Sequence, residues 1–218
     1  MDKRSILLWV SAFFLLAVSA ASICLFAKPQ VLPNTLQNMT LVAPVSENEH
    51  IRGNPRAPVT IVIYSDLQCP ACAAVNQSLR SVEIAYADKV RFVYRHFPLP
   101  QHKNAILAAV ASESAGKQGK FFEMRDLAYD TQREWTNRSQ FDAYLYFLSQ
   151  ARSLELDLEQ FQRDMNDPKL LEVVTNGIKD GMSLKLQVVP VFFINGKSFQ
   201  PHSIDELKQK LDEALDAR

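Results

Sequence analysis

The chain has no surplus of charge: 24 lysines and arginines stand against 24 aspartates and glutamates. The basic residues are spread along the sequence rather than clustered, so no basic surface argues for nucleic acid as a partner. Cysteine is scarce, with three residues in 218, and the four histidines, His50, His96, His102 and His202, are scattered. A structural zinc site needs four ligands, usually including a second Cys or His pair at short spacing. Cys69 and Cys72 have no such second pair, and no metal is expected. Charge is also missing from the whole stretch Ile6 to Ala27. At a rise of about 1.5 Å per residue, a helix over this stretch is roughly 33 Å long, enough to cross the hydrocarbon core of a bilayer.

Lys3 and Arg4 precede that stretch, and the positive-inside bias leaves the N-terminus in the cytoplasm with everything after Lys28 outside. An uncleaved signal anchor over residues 1–27 is the reading adopted. The competing one is a cleavable signal peptide, with Leu7 to Val18 as the apolar region and Ser19-Ala20-Ala21 as the cut. Against it, apolar sequence resumes at Ile23 to Phe26. Cys24 then reads as a small apolar residue of the membrane helix. Both routes lead to an oxidising compartment. From Lys28 to about His50 the sequence is polar and proline-containing without a sustained period, as a tether would be. The remainder, in a chain 47% hydrophobic and 22% charged, has the make-up of one globular domain with a sizeable core.

The centre of that domain is Cys69-Pro70-Ala71-Cys72. The unbroken β-branched run Val59 to Tyr64 before it predicts a strand buried on both faces. After it, Ala73 to Ala87 predicts a helix with Val75, Leu79, Val82 and Tyr86 on one side and no internal Gly or Pro. Pro70 suits the first helical position, so Cys69 falls at the helix N-terminus. There, free backbone N–H groups and the helix dipole lower a thiol pKa below the ~8.5 of free cysteine. Cys69 is therefore the expected nucleophile and Cys72, inside the first turn, the resolving thiol. The expected cycle runs through a mixed disulfide and needs no metal or organic cofactor. A purely structural disulfide is the alternative, although so short a loop stabilises little.

Further along, Val90 to Arg95 alternates as a strand, and strand-helix-strand at this length predicts a right-handed βαβ unit with parallel strands. Residues from about His102 to Leu186 read as helical throughout, with Ser139 a cap, Asp157 and Gln160 a capping pair, and Pro168 the opening of the last helix. Pro190 to Ile194 is a strand, Asn195-Gly196 a hairpin turn into Ser198-Phe199, and Ser203 with Glu206 a capping box for the final helix.

Gly53-Asn54-Pro55-Arg56-Ala57-Pro58-Val59 followed by Tyr64-Ser65-Asp66-Leu67-Gln68-Cys69-Pro70-Ala71-Cys72 resembles the opening of a DsbA-like thiol-disulfide oxidoreductase of the thioredoxin superfamily. Arg95-His96-Phe97-Pro98-Leu99, Gly119-Lys120-Phe121-Phe122-Glu123-Met124 and Val189-Pro190-Val191-Phe192-Phe193-Ile194-Asn195-Gly196 extend the resemblance over residues 50–216. It implies an α/β, thioredoxin-like fold with an inserted all-helical subdomain, preceded by one transmembrane helix. The expected boundaries are 1–27 anchor, 28–50 tether, 51–101 first half, 102–186 insertion and 187–218 second half.

The resemblance also implies that Pro190 is a cis-proline facing the dithiol. A proline cannot complete a ladder there, so an extended substrate can pair with the backbone of Val189. Pro70 and Ala71 form the dipeptide that tunes Cys69, and neither is ionisable. Asp66, three residues before Cys69, is a candidate modulator of thiolate formation, or else an exposed loop aspartate capping the next helix. Thioredoxin-like proteins often carry a carboxylate six residues before the first cysteine; Ile63 stands there. His96, at a strand end, reads as structural.

The function so implied is an extracytoplasmic thiol-disulfide oxidoreductase that exchanges disulfides with secreted or envelope proteins as an oxidant, Val189 before the proline resembling oxidising members. Its catalytic domain is expected in the periplasm or extracellular space, as a monomer, held to the membrane by the N-terminal helix. Its expected partners are unfolded or thiol-containing secreted proteins and a membrane redox partner, either a quinone-linked oxidase or an electron-donating reductase. A thiol reductase or isomerase is the alternative within the fold, and a non-enzymatic tethered chaperone is the alternative outside it.

Overall fold

A computed structural model describes residues 39–46 and 49–217. The expected anchor and signal-peptide stretches, Cys24 and the first part of the expected tether lie outside the described residues. Among the described residues no helix is long and apolar enough to cross a membrane.

Five strands form one sheet: β1 (Ile51–Gly53), β2 (Val59–Ser65), β3 (Val90–His96), β4 (Val191–Ile194) and β5 (Lys197–Phe199), in the order β1-β3-β2-β4-β5. β2 and β3 are parallel, with Val59 opposite Val90 and Ser65 opposite His96, and the helix α1 (Pro70–Ala85) connects them. β4 runs antiparallel to β2 and turns through Asn195 and Gly196, both at positive φ, into β5. Gly196 supplies that backbone without a Cβ penalty, and asparagine is the non-glycine residue most at ease there.

Seven helices separate β3 from β4 or follow β5. Six belong to the insertion: α2 (Ala105–Gly116), α3 (Phe121–Asp130), the single turn α4 (Gln132–Trp135), α5 (Gln140–Ser153), α6 (Leu158–Met165) and α7 (Pro168–Ser183). The last, α8 (Ile204–Asp216), closes the chain. Side chains of Ser139, Asp157, Asp167 and Ser203 accept a backbone N–H in the first turn of α5, α6, α7 and α8 respectively. Each satisfies one of the donors a helix start leaves open.

The sheet divides the apolar interior in two. Val59, Ile61 and Ile63 of β2 pack with Leu79 and Val82 of α1 and Leu207 and Leu211 of α8. Val62 and Tyr64, pointing the other way as strand alternation requires, pack with the insertion, including Met124, Trp135, Phe147, Phe161 and Val174. The inserted helices therefore share a core with one face of the sheet.

Four local features differ from the sequence-based expectation. α1 starts at Pro70 with Cys69, in extended φ and ψ, as N-cap, as expected, but it ends at Ala85 rather than Ala87. The edge strand β1 was not expected: three residues are too few to show a period. Within the stretch expected to be a tether, the Leu41 N–H donates to the Gly196 carbonyl and the Ser198 N–H to the Met39 carbonyl, so residues 39–41 pair along β5. The free edge of β5 supplies the reason. In the α8 cap, the Glu206 carboxylate accepts from the His202 N–H at 2.7 Å, one residue earlier than a capping box requires.

Candidate active site

The loop between β2 and α1 carries the cysteine pair. Cys69 is the N-cap of a sixteen-residue helix, Pro70 occupies its first turn, and no side chain caps that end. The open N–H groups at this end are therefore directed at the Cys69 sulfur. Both cysteines are free thiols. Cys69 is 8% exposed and Cys72 2%, so only the first is within reach of solvent.

The Cys69 thiol is lowered to about 6. The largest contribution is the hydrogen bond from the Cys72 thiol; burial opposes it, and the backbone N–H groups of Cys72 and Ala71 add to the lowering. The Cys72 thiol is pushed strongly upward by burial first, then by its hydrogen bond to Cys69 and by the charge there. A donor–acceptor pair of thiols whose ionisations are driven apart is the arrangement a nucleophile with a reserve thiol requires.

Opposite the pair lies the loop before β4. The Cys69 thiol faces the Val189 carbonyl oxygen at 3.9 Å, and the Val189–Pro190 peptide bond is cis. Gln200 Nε2 donates to the Pro190 carbonyl at 3.1 Å. The structure thus brings together Cys69, Cys72, Val189 and Pro190, with Ala71 at the sulfur through its backbone and Pro70 starting the helix.

Asp66 is placed differently from its expected alternative. It is not an exposed loop aspartate but 1% exposed. Its carboxylate accepts from the Gln68 and Leu99 backbone N–H groups at 2.7 and 2.8 Å and lies 2.6 Å from His102 Nδ1. The charge of Asp66 opposes Cys69 ionisation, by less than burial does. His96 is buried and reaches Glu113, whose other oxygen takes His50 Nε2. Burial pushes the Glu113 carboxyl up, but the hydrogen bonds and electrostatic attraction of His50 and His96 together outweigh it and hold the group at about 2.

The insertion braces the cysteine loop through residues that no sequence motif marked. Gln132 Nε2 donates to the Leu67 and Cys69 carbonyls at 2.6 and 3.0 Å, Gln68 Nε2 donates to the Thr136 carbonyl, and the Gln68 side chain accepts from the Asn104 N–H. Below the loop, Cys72, Asn76 and Glu83 share the buried face of α1 turned to α3. There Arg125 pairs with Glu83 and Asp126, and Arg52 of β1 pairs with the same two carboxylates. Among the described residues no cluster of His, Cys, Asp or Glu is arranged to hold a metal ion.

A family model described as thioredoxin matches residues 45–213. Among solved structures, alpha-DsbA1 of Wolbachia pipientis superposes with a TM-score of 0.71 at 21% identity, over 81% of this chain and 95% of that one. Oxidised BdbD of Bacillus subtilis gives 0.71 at 20% identity, over 83% and 99%. DsbA2 of Pseudomonas aeruginosa gives 0.63 at 21% identity, over 78% and 96%. These likenesses establish a DsbA-like thioredoxin fold with a helical insertion. Among curated proteins, the Na(+)/H(+) antiporter NhaA 1 of Mycobacterium sp. (strain KMS) is 41% identical over 165 residues, 73% of this chain and 25% of the antiporter. The NhaA of Herminiimonas arsenicoxydans is 32% identical over 160 residues, 73% and 24%. The chain spans about a quarter of the length of the curated relatives it matches.

Proposed function

Because the chain belongs to the thioredoxin superfamily as a DsbA-like member, we propose that it is a thiol-disulfide oxidoreductase whose reactive atom is the Cys69 sulfur. The observation that carries this reading is the Cys69 sulfur at a helix start that no side chain caps, 3.9 Å from the Val189 carbonyl and backed by Cys72, with the lowering of its thiol in support. In the oxidising direction a substrate thiolate attacks Cys69 Sγ of the Cys69–Cys72 disulfide. The Cys69–Cys72 bond breaks and Cys72 leaves as the thiolate. A second substrate thiolate then attacks the substrate sulfur of the mixed disulfide. The substrate leaves with a new disulfide, and the electron pair remains on the two cysteines. Val189 and the cis-linked Pro190 form the edge along which an extended substrate would lie, and Pro70 and Ala71 tune the thiolate through the helix start.

A thiol that ionises near 6 is a good leaving group and stabilises the dithiol form, which makes the disulfide form an oxidant. This supports the oxidising direction over a reductase; an isomerase shares the lowered thiol and stays the alternative. The clients are then unfolded or thiol-containing secreted proteins, and reoxidation falls to a membrane partner such as a quinone-linked oxidase. An electron-donating reductase would serve the reverse direction. The apolar stretch 6–27 supports a membrane-anchored domain in the periplasm or extracellular space. The curated relatives, named as antiporters, carry the matching segment within longer chains, which supports work at a membrane.

Substituting Cys69→Ser tests the reading. Insulin reduction and oxidation of reduced ribonuclease are expected to fall to the uncatalysed rate; unchanged rates would leave only a chaperone-like binding role. Equilibration of the wild-type dithiol with glutathione fixes direction, a potential near or above about −150 mV marking an oxidant and one near −270 mV a reductant.

A further inference from the structure

Disulfide exchange makes a demand on Cys72 that the residues assigned so far do not meet. When the Cys69–Cys72 bond opens, charge lands on a sulfur that is 2% exposed, beside a cavity of about 10 Å³. Such a space holds one water molecule at most, so bulk solvent cannot stabilise the departing thiolate. Ile63 lines the same cavity and offers no polar atom. The nearby carboxylates are engaged elsewhere: Asp66 with His102 and two backbone N–H groups, Glu83 and Asp126 with Arg125 and Arg52.

The same cavity is lined by three residues that carry hydroxyls, Ser65, Tyr94 and Tyr129, with Asn76 and Arg125 beside them. They form a chain: Ser65 Oγ lies 2.7 Å from Tyr129 Oη, and Tyr129 Oη lies 3.0 Å from Tyr94 Oη. Each comes from a different element, Ser65 from the end of β2, Tyr94 from β3 and Tyr129 from α3. The Arg125 guanidinium stands 5.5 Å from the Tyr94 ring centroid, so a positive charge backs the far end. We propose, resting on the oxidoreductase reading, that Ser65 is a catalytic residue whose hydroxyl, keeping its proton, donates a hydrogen bond to the Cys72 sulfur as negative charge develops there or is held before attack. Tyr129 and Tyr94 are positioning residues that hold and polarise the Ser65 hydroxyl.

The direction of each contribution agrees. The Ser65 hydroxyl and the Asp66 backbone N–H both favour the Cys72 thiolate, against burial and Cys69, which disfavour it. Burial pushes the phenols of Tyr94 and Tyr129 upward. Both therefore stay protonated and act as hydrogen-bond donors and relays, not as bases. Hydrogen bonds in such a chain polarise one another, and a donor fixed in a water-poor site where charge develops needs no reorganisation when the reaction comes. The groups facing Cys72 are then Cys69 at the cap of its own helix, Ser65 from the end of β2, Asp66 from the loop that follows, Tyr94 from β3, and Arg125 and Tyr129 from α3, with Glu83 behind Arg125.

The test is the titration of Cys72 by its thiolate absorbance in a Cys69→Ser background, which needs no turnover and so stands apart from the question of activity. Adding Ser65→Ala is expected to raise the Cys72 midpoint by about one pH unit. Tyr129→Phe, which keeps the ring, should raise it in the same direction by less, and Ser65→Thr should restore it. In the otherwise wild-type disulfide form, Ser65→Ala should slow opening by a small-molecule thiol roughly threefold, because a more basic leaving thiol departs more slowly. Release of Cys69 from a preformed mixed disulfide should be unchanged. A Cys72 midpoint that neither Ser65→Ala nor Tyr129→Phe moves would overturn the inference. If the wild-type protein catalyses no exchange while the midpoint still shifts, the functional reading fails and the hydroxyl assignment survives.

Discussion

One sulfur at the start of α1 sets the chemistry, and its ionisation is a statement about stability as well as reactivity. The Cys69 thiol is lowered from 9.0 to about 6 in the folded protein. A group whose folded pKa is depressed contributes stability that is fully present above its unfolded value and is lost as pH falls through its folded value. The dithiol form should therefore lose stability relative to the disulfide form as pH drops from about 9 to about 6, and level off below. Cys72, raised by burial, stays protonated in the folded protein and opposes the effect only where the unfolded chain's thiol ionises, so the comparison is read below the ~8.5 of a free cysteine. Paired thermal melts of the two redox forms at several pH values read this directly, and a gap between them that does not change with pH would contradict it. Asp66 shows the limit of local reading: it stands in a loop, where an aspartate is usually exposed. Its burial comes from Leu99 and His102, 33 and 36 residues away.

At the scale of elements, the contact between α1 and α3 joins the sheet to the insertion. It is built on charge as well as apolar packing. Arg125 is 1% exposed and Glu83 fully buried. Removing one partner of a buried pair leaves an uncompensated charge, at a cost of 3–5 kcal/mol. Arg125→Ala should cost about 3 kcal/mol, toward the low end, because Arg52 remains to pair with both Glu83 and Asp126. The nearby Arg80–Asp130 pair is far more exposed, at 31% and 48%, and Arg80→Ala should cost under about 1 kcal/mol. Urea unfolding of the two variants separates these outcomes; equal losses would show that burial does not set the value of the pairs.

Elements with strong local signals were legible before any coordinates: the β-branched run of β2, the Asn195–Gly196 turn, and the caps at Ser139 and Asp157. β1 was not, since its three residues gain strand structure only by pairing with β3. The hydroxyl chain was not legible either. Ser65 and Tyr129 are 64 residues apart and Tyr94 and Tyr129 35, and single hydroxyls in a sequence carry no sign of their partners.

For the molecule as a whole, the insertion is part of the site rather than an appendage. It shares the core on one face of the sheet, braces the cysteine loop through Gln132, and supplies Tyr129 beneath Cys72. The four residues the sequence placed around the dithiol lie together because three separate elements converge at one end of the sheet: the β2–α1 loop, the turn before β4, and the start of the insertion. Everything else in the account depends on that convergence producing a reactive thiolate. The most direct measurement is the rate of Cys69 alkylation in the dithiol protein as a function of pH, with the modified residue identified by mass spectrometry. The account predicts a midpoint near 6 with Cys72 unmodified throughout; a midpoint near the ~8.5 of an ordinary cysteine, with both thiols modified alike, would contradict it.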